Sequence, residues 1–225
     1  MLIAISKFAL MDPKDIQNMR QDYHANSLIE AQISPNPIKQ FETWFNDALK
    51  AEVFEPNAMT LATSTHNGRP SARIVLLKGV DSNGFAFYTN YLSRKGKEIA
   101  KNPHAALVFF WGTMERQVRI EGTLEKLSKE RSEQYFHSRP FGSQIGALVS
   151  PQSQEIENRE GLDAKLQQLE AEFDGKEIPK PAYWGGYILK PERIEFWQGR
   201  SNRLHDRILY KKVDKSTWKM VRLAP

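Results

Sequence analysis

The chain has 225 residues, enough for one domain with a full hydrophobic core and some appendages. Its 32 Lys and Arg against 27 Asp and Glu leave a net charge of +5, which suits an anionic small-molecule partner, yet the cations are scattered and form no nucleic-acid-binding run. There is no cysteine, so disulfides, thiolate metal ligands and cysteine nucleophiles are excluded, a composition that fits a cytoplasmic protein.

Residues 1–11 are mildly apolar, but they carry Lys7, are short for a signal core and lack a small-residue cleavage site; Met11 is an alternative start. No later stretch has the length of a membrane-spanning helix. Asp12 followed by Pro13 is a helix-start signal, and the segment to about Tyr23 reads as a polar helix in a partly mobile arm over residues 1–36. Ser34, Pro35, Asn36 and Pro37 break the chain ahead of a main domain over 37–225. From Ile38 the apolar residues Phe41, Phe45, Ala48 and Leu49 recur at helical spacing, which predicts a packed helix to about Ala51.

Beyond it the period shortens. Residues 59–65, 72–77, 85–89, 105–111 and 117–127 are rich in β-branched or aromatic side chains and read as strands, with hairpin turns at Asn67-Gly68 and Asn83-Gly84. Short helices are expected over 93–102 and 128–138, and a longer charged one over 155–173 with Ile156, Leu162, Leu166 and Leu169 as its apolar members. Three or four further strands are expected over 186–223, broken at Pro191 and at the loop 199–202. The whole reads as a mainly β, antiparallel fold with flanking helices, closed or nearly closed into a barrel because closure removes exposed edges.

Several segments carry candidate chemistry. Arg73, Ile74, Val75, Leu76, Leu77 and Lys78 form a strand with a cation at each end, about 17 Å apart at strand rise, a length suited to flavin mononucleotide with Arg73 on its phosphate. A plain edge strand with charged ends fits as well. Ser93, Arg94 and Lys95 open a helix just after Tyr88 and Thr89, where backbone amides and two cations favour phosphate, although a solvated surface helix has the same look. Tyr135 and Arg139 share a helix face, and with Ser143 after a turn at 140–142 they make a second candidate anion pocket, although in isolation a packed tyrosine with a surface arginine fits the segment better. Gln117, Gln152 and Ser153 are neutral groups able to read a flavin edge or phosphate. If residues 203–209 are extended, Arg203, His205 and Arg207 share a face as donors to a planar anion, or as an ordinary solvated face. The five histidines show no metal-ligand spacing, and there is no nucleophile elbow, P-loop or Rossmann fingerprint.

Taken together, residues 73–78, Tyr88 and Thr89 with Ser93 to Lys95, residues 135–140, residues 197–207 and the final Arg222, Leu223, Ala224 and Pro225 resemble the pyridoxamine 5'-phosphate oxidase family, a similarity covering roughly residue 20 to the end. The resemblance implies an FMN-binding split β-barrel, a homodimer with FMN held by both subunits at the interface, and oxidation of pyridoxamine and pyridoxine 5'-phosphates. It implies that Arg73 to Lys78, Tyr88, Thr89, Arg94, Lys95, Gln117, Gln152, Ser153, Trp197 and Arg207 hold FMN. Lys78, Tyr135, Arg139 and Ser143 would grip the substrate phosphate, with Arg203, Leu204 and His205 at the pyridine ring and Arg203 and His205 as the catalytic pair. Arg20 and Tyr23 would cover the site from the arm. The alternatives are a flavin barrel with another substrate, a noncatalytic flavin or pyridoxal phosphate module, and, more remotely, a nucleic-acid-binding barrel.

Overall fold

The computed structural model describes residues 13–19, 21–24 and 26–225; the expectations for residues 1–12 and for Arg20 lie outside them. Within the arm, the helix α1 is short, Pro13–Asn18, and the chain is non-helical by Tyr23. Residues 28–34 dock on the C-terminal strands. Leu28 N–H donates to Asp206 at 3.0 Å, and the Arg222 guanidinium forks onto Glu30 at 2.8 Å for both oxygens while also reaching Asp206 and the Leu28 carbonyl.

The helix α2, Pro37–Lys50, starts with Asn36 as its cap, whose Oδ1 accepts from the amides of Ile38 and Lys39. Ile38, Phe41, Trp44 and Ala48 form its buried stripe, while Leu49 faces solvent. Phe41 meets Phe85 at 4.9 Å and Phe109 at 5.0 Å, and Trp44 stands edge-on to Phe196 at 5.1 Å, so α2 plugs the sheet with aromatic rings.

Among the described residues there are nine antiparallel strands: β1 Ala58–Ser64, β2 Pro70–Leu76, β3 Gly79–Asp81, β4 Gly84–Asn90, β5 His104–Trp111, β6 Arg116–Lys126, β7 Trp184–Gln198, β8 Asp206–Lys212 and β9 Trp218–Leu223; the short β3 is not among the strands expected from sequence. Both predicted hairpins form, β1 with β2 and β3 with β4. The strands run β2-β1-β5-β6-β7-β4-β3, so the two ends of the path, β2 and β3, are joined in the chain by Leu77 and Lys78 alone. A sheet whose ends are two residues apart must curl onto itself. The seam is stapled by Leu77 N–H to the Asn57 carbonyl and Lys78 N–H to the Ala86 carbonyl, each at 2.8 Å.

The strand β7 corrects one expectation: it continues through Pro191 instead of breaking there. Its first half pairs with β4 up to Leu189 and its second half with β8 from Arg193, both on the edge opposite β6. Pro191, which has no N–H to give, falls between the two partners, opposite an irregularity at Glu121/Gly122. Gly122 is needed there, because a Cβ would lie 2.0 Å from the Lys190 carbonyl oxygen. Changing partners along one strand splits the sheet into a barrel and a C-terminal wing of β8 and β9.

The helices flank this sheet: α3 Arg94–Lys101, α4 Lys129–His137, α5 Phe141–Val149 and α6 Arg159–Glu172. Phe136, Ile145, Val149, Ile178 and Trp184 form a second small core beneath α4 to α6, with Leu162, Leu166 and Leu169 packed at its edge. The sequence reading had only a turn and Ser143 where α5 stands. No helix among the described residues is long and apolar enough to cross a membrane.

Candidate active site

A cavity of about 740 Å³ opens beside β2, β4, α3, α4 and α5. Of the residues nominated from sequence, Arg73, Ile74, Val75, Leu76, Lys78, Tyr88, Thr89, Lys95, Tyr135, Arg139, Ser143 and Gln152 line it, together with Trp184, which the sequence reading missed. Leu77 does not; it is buried in the barrel core. On β2 the alternation leaves Ile74 and Leu76 exposed and turns Arg73 inward.

One wall is aromatic. Tyr88 and Tyr135 stack at 3.8 Å, and both lie nearly parallel to Trp184. Burial raises the pKa of both tyrosine hydroxyls, so they stay protonated donors. Arg139 sits over Trp184 with its guanidinium carbon 4.6 Å from the ring centroid. Its Nη2 donates to the carbonyl of Ser143 at 2.6 Å, while its Nη1 is buried with no hydrogen-bond partner among the described residues.

Lys95 makes the second cationic point. Ser93 caps α3 and starts the helix so that Lys95 turns under β4, where it is only 9% exposed. Its ammonium donates to Thr89 Oγ1 at 3.2 Å, Gln152 Oε1 at 3.1 Å and Ser93 Oγ at 3.4 Å, all neutral oxygens. Burial, followed by the charge of Arg73, lowers its pKa against a smaller upward pull from Glu98.

Arg73 differs from the expectation of a guanidinium open for a two-oxygen grip. Its Nη1 donates to the Leu61 carbonyl and Thr63 Oγ1, and its Nη2 to Ser71 Oγ and Glu98 Oε2, which commits all four Nη protons. Only Nε–H remains for a ligand. Arg94 and Ser153 line a neighbouring hollow of about 410 Å³, with Glu98 on its wall.

The remaining nominated residues gather elsewhere. Gln117, Trp197 and Arg207 are register partners across β6, β7 and β8, so they share the face of the sheet turned away from the barrel core. None of them lines the cavity. Arg207 is held by both oxygens of Glu195 at 2.9 and 3.1 Å and by the Ala224 carbonyl. Residues 201–203 form a 3-10 turn with Asn202 and Arg203 at positive φ, so Arg203 is not on a strand with His205 and Arg207 as the alternation argument supposed. Arg203 and Leu204 project into solvent. His205 lies against Trp197 at 4.7 Å and under Tyr23 at 5.8 Å, and the arm is held there because Ser201 Oγ donates to the Tyr23 carbonyl and Asn202 N–H to Asp22. A side chain at Gly199 would collide with the Tyr23 ring at 2.8 Å.

The His205 ring has one feature invisible in sequence: its Nδ1 accepts the Arg200 backbone N–H at 3.1 Å. The neutral imidazole therefore carries its proton on Nε2 and offers a donor there.

Comparison with known proteins agrees with this layout. Residues 45–172 match the family model described as pyridoxamine 5'-phosphate oxidase, and residues 184–225 match one described as the pyridoxine 5'-phosphate oxidase C-terminal dimerisation region. A protein of Rubrobacter xylanophilus named pyridoxine/pyridoxamine 5'-phosphate oxidase is 54% identical over 212 residues, covering 94% of this chain and 97% of its own. One of the same name from Cyanothece sp. is 54% identical over 210 residues, covering 93% and 98%. Among solved structures, PhzG from Burkholderia lata 383, in complex with tetrahydrophenazine-1-carboxylic acid, superposes with a TM-score of 0.84 at 32% identity over 89% of this chain and 99% of that one. A pyridoxamine 5'-phosphate oxidase-related, FMN-binding protein from Nostoc punctiforme shares the fold, with a TM-score of 0.67 at 17% identity over 86% of this chain and 100% of that one. With a barrel, an anion-seeking cavity and a C-terminal wing all matched over nearly its whole length, the chain belongs to the pyridoxamine 5'-phosphate oxidase family.

Proposed function

We propose that this chain oxidises pyridoxamine and pyridoxine 5'-phosphates to pyridoxal 5'-phosphate, working as a homodimer with FMN as cofactor, dioxygen as oxidant and hydrogen peroxide as product. The observation that carries the reading is a pair of cationic groups in one cavity, each lacking a counter-anion in its hydrogen bonds: the buried Lys95 ammonium on neutral oxygens and the half-buried Arg139, whose Nη1 is buried and unbonded among the described residues. A buried donor left without an acceptor costs about 1–3 kcal/mol, which a phosphate oxygen would recover. Two such groups call for two phosphorylated guests.

The donor set suits FMN. Lys95, Thr89, Gln152 and the Arg73 Nε–H would hold its phosphate, and the exposed Ile74 and Leu76 on β2 offer an apolar edge to its ring. Bound FMN would supply a two-electron acceptor for a hydride from the substrate C4' carbon and pass the electrons to dioxygen. Arg139, Tyr135, Ser143 and Lys78 would grip the substrate phosphate, with Arg139 held over Trp184. Arg203 and His205 would orient the pyridine ring. His205, with Nδ1 occupied by the Arg200 amide, would donate from Nε2 to a substrate oxygen, which argues against its taking a proton there. Tyr23, over His205, would shut out water, and Arg20 belongs to the same arm.

Within one protomer, Gln117, Trp197, Arg203, His205 and Arg207 do not line the cavity that holds Lys95 and Arg139. A second copy, docked through the matched dimerisation region, would bring its own set to that cavity. The test is to load the purified protein with FMN, add pyridoxamine 5'-phosphate in air, and follow aldehyde and peroxide together. Equal amounts of both are expected. Flavin binding with no aldehyde formed would leave a flavin protein with another role.

A further inference from the structure

Between the main cavity and the neighbouring hollow lies a carboxylate that no functional reading has used. Glu98, on α3, is 6% exposed. Its Oε2 accepts from Thr63 Oγ1 at 2.5 Å, Ser71 Oγ at 2.7 Å and Arg73 Nη2 at 3.3 Å, while its Oε1 accepts from Arg94 Nε at 3.0 Å. One buried anion thus joins Arg73 of the main cavity to Arg94 of the hollow.

The polarity of this cluster is directional. Because Thr63 and Ser71 each donate their only hydroxyl proton to Glu98, their lone pairs are turned toward Arg73, which donates to both. The carboxylate orients the hydroxyls, and the hydroxyls fix the guanidinium. Burial pushes the Glu98 carboxyl up, but the bonds from Ser71, Thr63 and Arg94 and the charge of Arg73 outweigh it and hold its pKa at about 2, so the group is an anion at any working pH. Arg73, Arg94 and Lys95 against this single carboxylate leave a net of two positive charges, which matches a phosphate monoester carrying about −1.5 to −2 at neutral pH.

We propose that Glu98 is a positioning residue for the phosphate end of the cavity, holding Arg73 and Arg94 beside Lys95 and trimming their joint charge to that of a phosphate monoester. This rests on the FMN reading above. Glu98 touches no ligand itself; it acts through the two arginines.

Glu98→Gln tests it, because an amide cannot accept at both ends. Whichever way it turns, its NH2 faces a donor: Arg94 on one side, or Thr63, Ser71 and Arg73 on the other. Cofactor-free protein is titrated with FMN and with riboflavin, which lacks the phosphate, and quenching of flavin fluorescence is read alongside the melting temperature. For E98Q the expected result is a loss of FMN affinity of at least about tenfold with riboflavin affinity unchanged within about twofold. Equal losses for both flavins would make Glu98 a merely structural residue, and unchanged FMN affinity would also overturn the proposal. Should E98Q fail to fold, Glu98→Asp keeps the charge and shortens its reach, and the same phosphate-selective loss is expected at about threefold; equal effects on the two flavins there overturn it too. Wild-type protein that takes up neither flavin would sink the cofactor reading and this proposal with it, a result distinct from any difference between variant and wild type.

Discussion

Arg139 and Lys95 are both cations drawn partly out of water, and they differ in what replacement would do. Arg139 sits over the Trp184 ring and bonds the Ser143 carbonyl, a double placement that a guanidinium fork fills better than a point charge. Arg139→Lys keeps the charge but loses the plane, so KM for pyridoxamine 5'-phosphate should rise about ten- to a hundredfold, with FMN affinity unchanged in a fluorescence titration. Lys95 instead titrates. In cofactor-free protein its pKa is depressed from the ordinary 10.5, first by burial and then by Arg73. Only the ammonium attracts phosphate, so FMN affinity should fall as pH rises through that lowered pKa, beginning below 10.5. The sign for folding is opposite: losing a desolvated charge favours the folded state as pH rises through the same window. Lys95→Arg, charged throughout, should abolish the alkaline loss, and FMN titrations across pH for both proteins would decide it.

At the scale of elements, the plug formed by α2 makes a direct stability claim. Phe41 is 1% exposed and touches rings from β4 and β5, so Phe41→Ala should destabilise the fold by about 3–5 kcal/mol in chemical denaturation. The helix was legible because its apolar spacing is helical, although Asn36 and Pro37, which cap and open it, read from sequence only as a break. Both hairpins were legible for a similar reason, since Asn-Gly pairs mark the turn whatever surrounds them. Three elements were not. Gly142 and Gly146 disguise α5 as turn, although Ile145 and Val149 bury its inner face. Pro191 looked like a break, and only the change of partner along β7 makes it harmless. The turn at 201–203 depends on positive φ at two residues that are not glycine, which no alternation pattern reveals. Among candidate site residues, the cations stand out by type and spacing, but Glu98 does not. Its position four after Arg94 in a helix was the available signal; the partnership with Arg73 is long-range and invisible in one dimension.

For the whole molecule, the separation of the nominated residues into two groups sets up a sharper test of assembly than size alone. If each site takes Arg139 from one subunit and Arg203 from the other, Arg139→Ala and Arg203→Ala homodimers are both crippled, yet subunit exchange between them restores one intact site in every mixed dimer. Activity should return to about a quarter of wild type after exchange. Sites confined to single protomers would show no recovery.

The two-residue link of Leu77 and Lys78 has one more consequence. Because it joins the outermost strands of the path, fraying that reaches the Leu76 end of β2 pulls on the Lys78 bond to Ala86 of β4, and the amides of Leu77 and Lys78 become reporters of the opening of the barrel seam. A guest lying along β2 should therefore slow deuterium uptake at those two amides and on β4 alike, so that occupancy is registered across the molecule as kinetic protection.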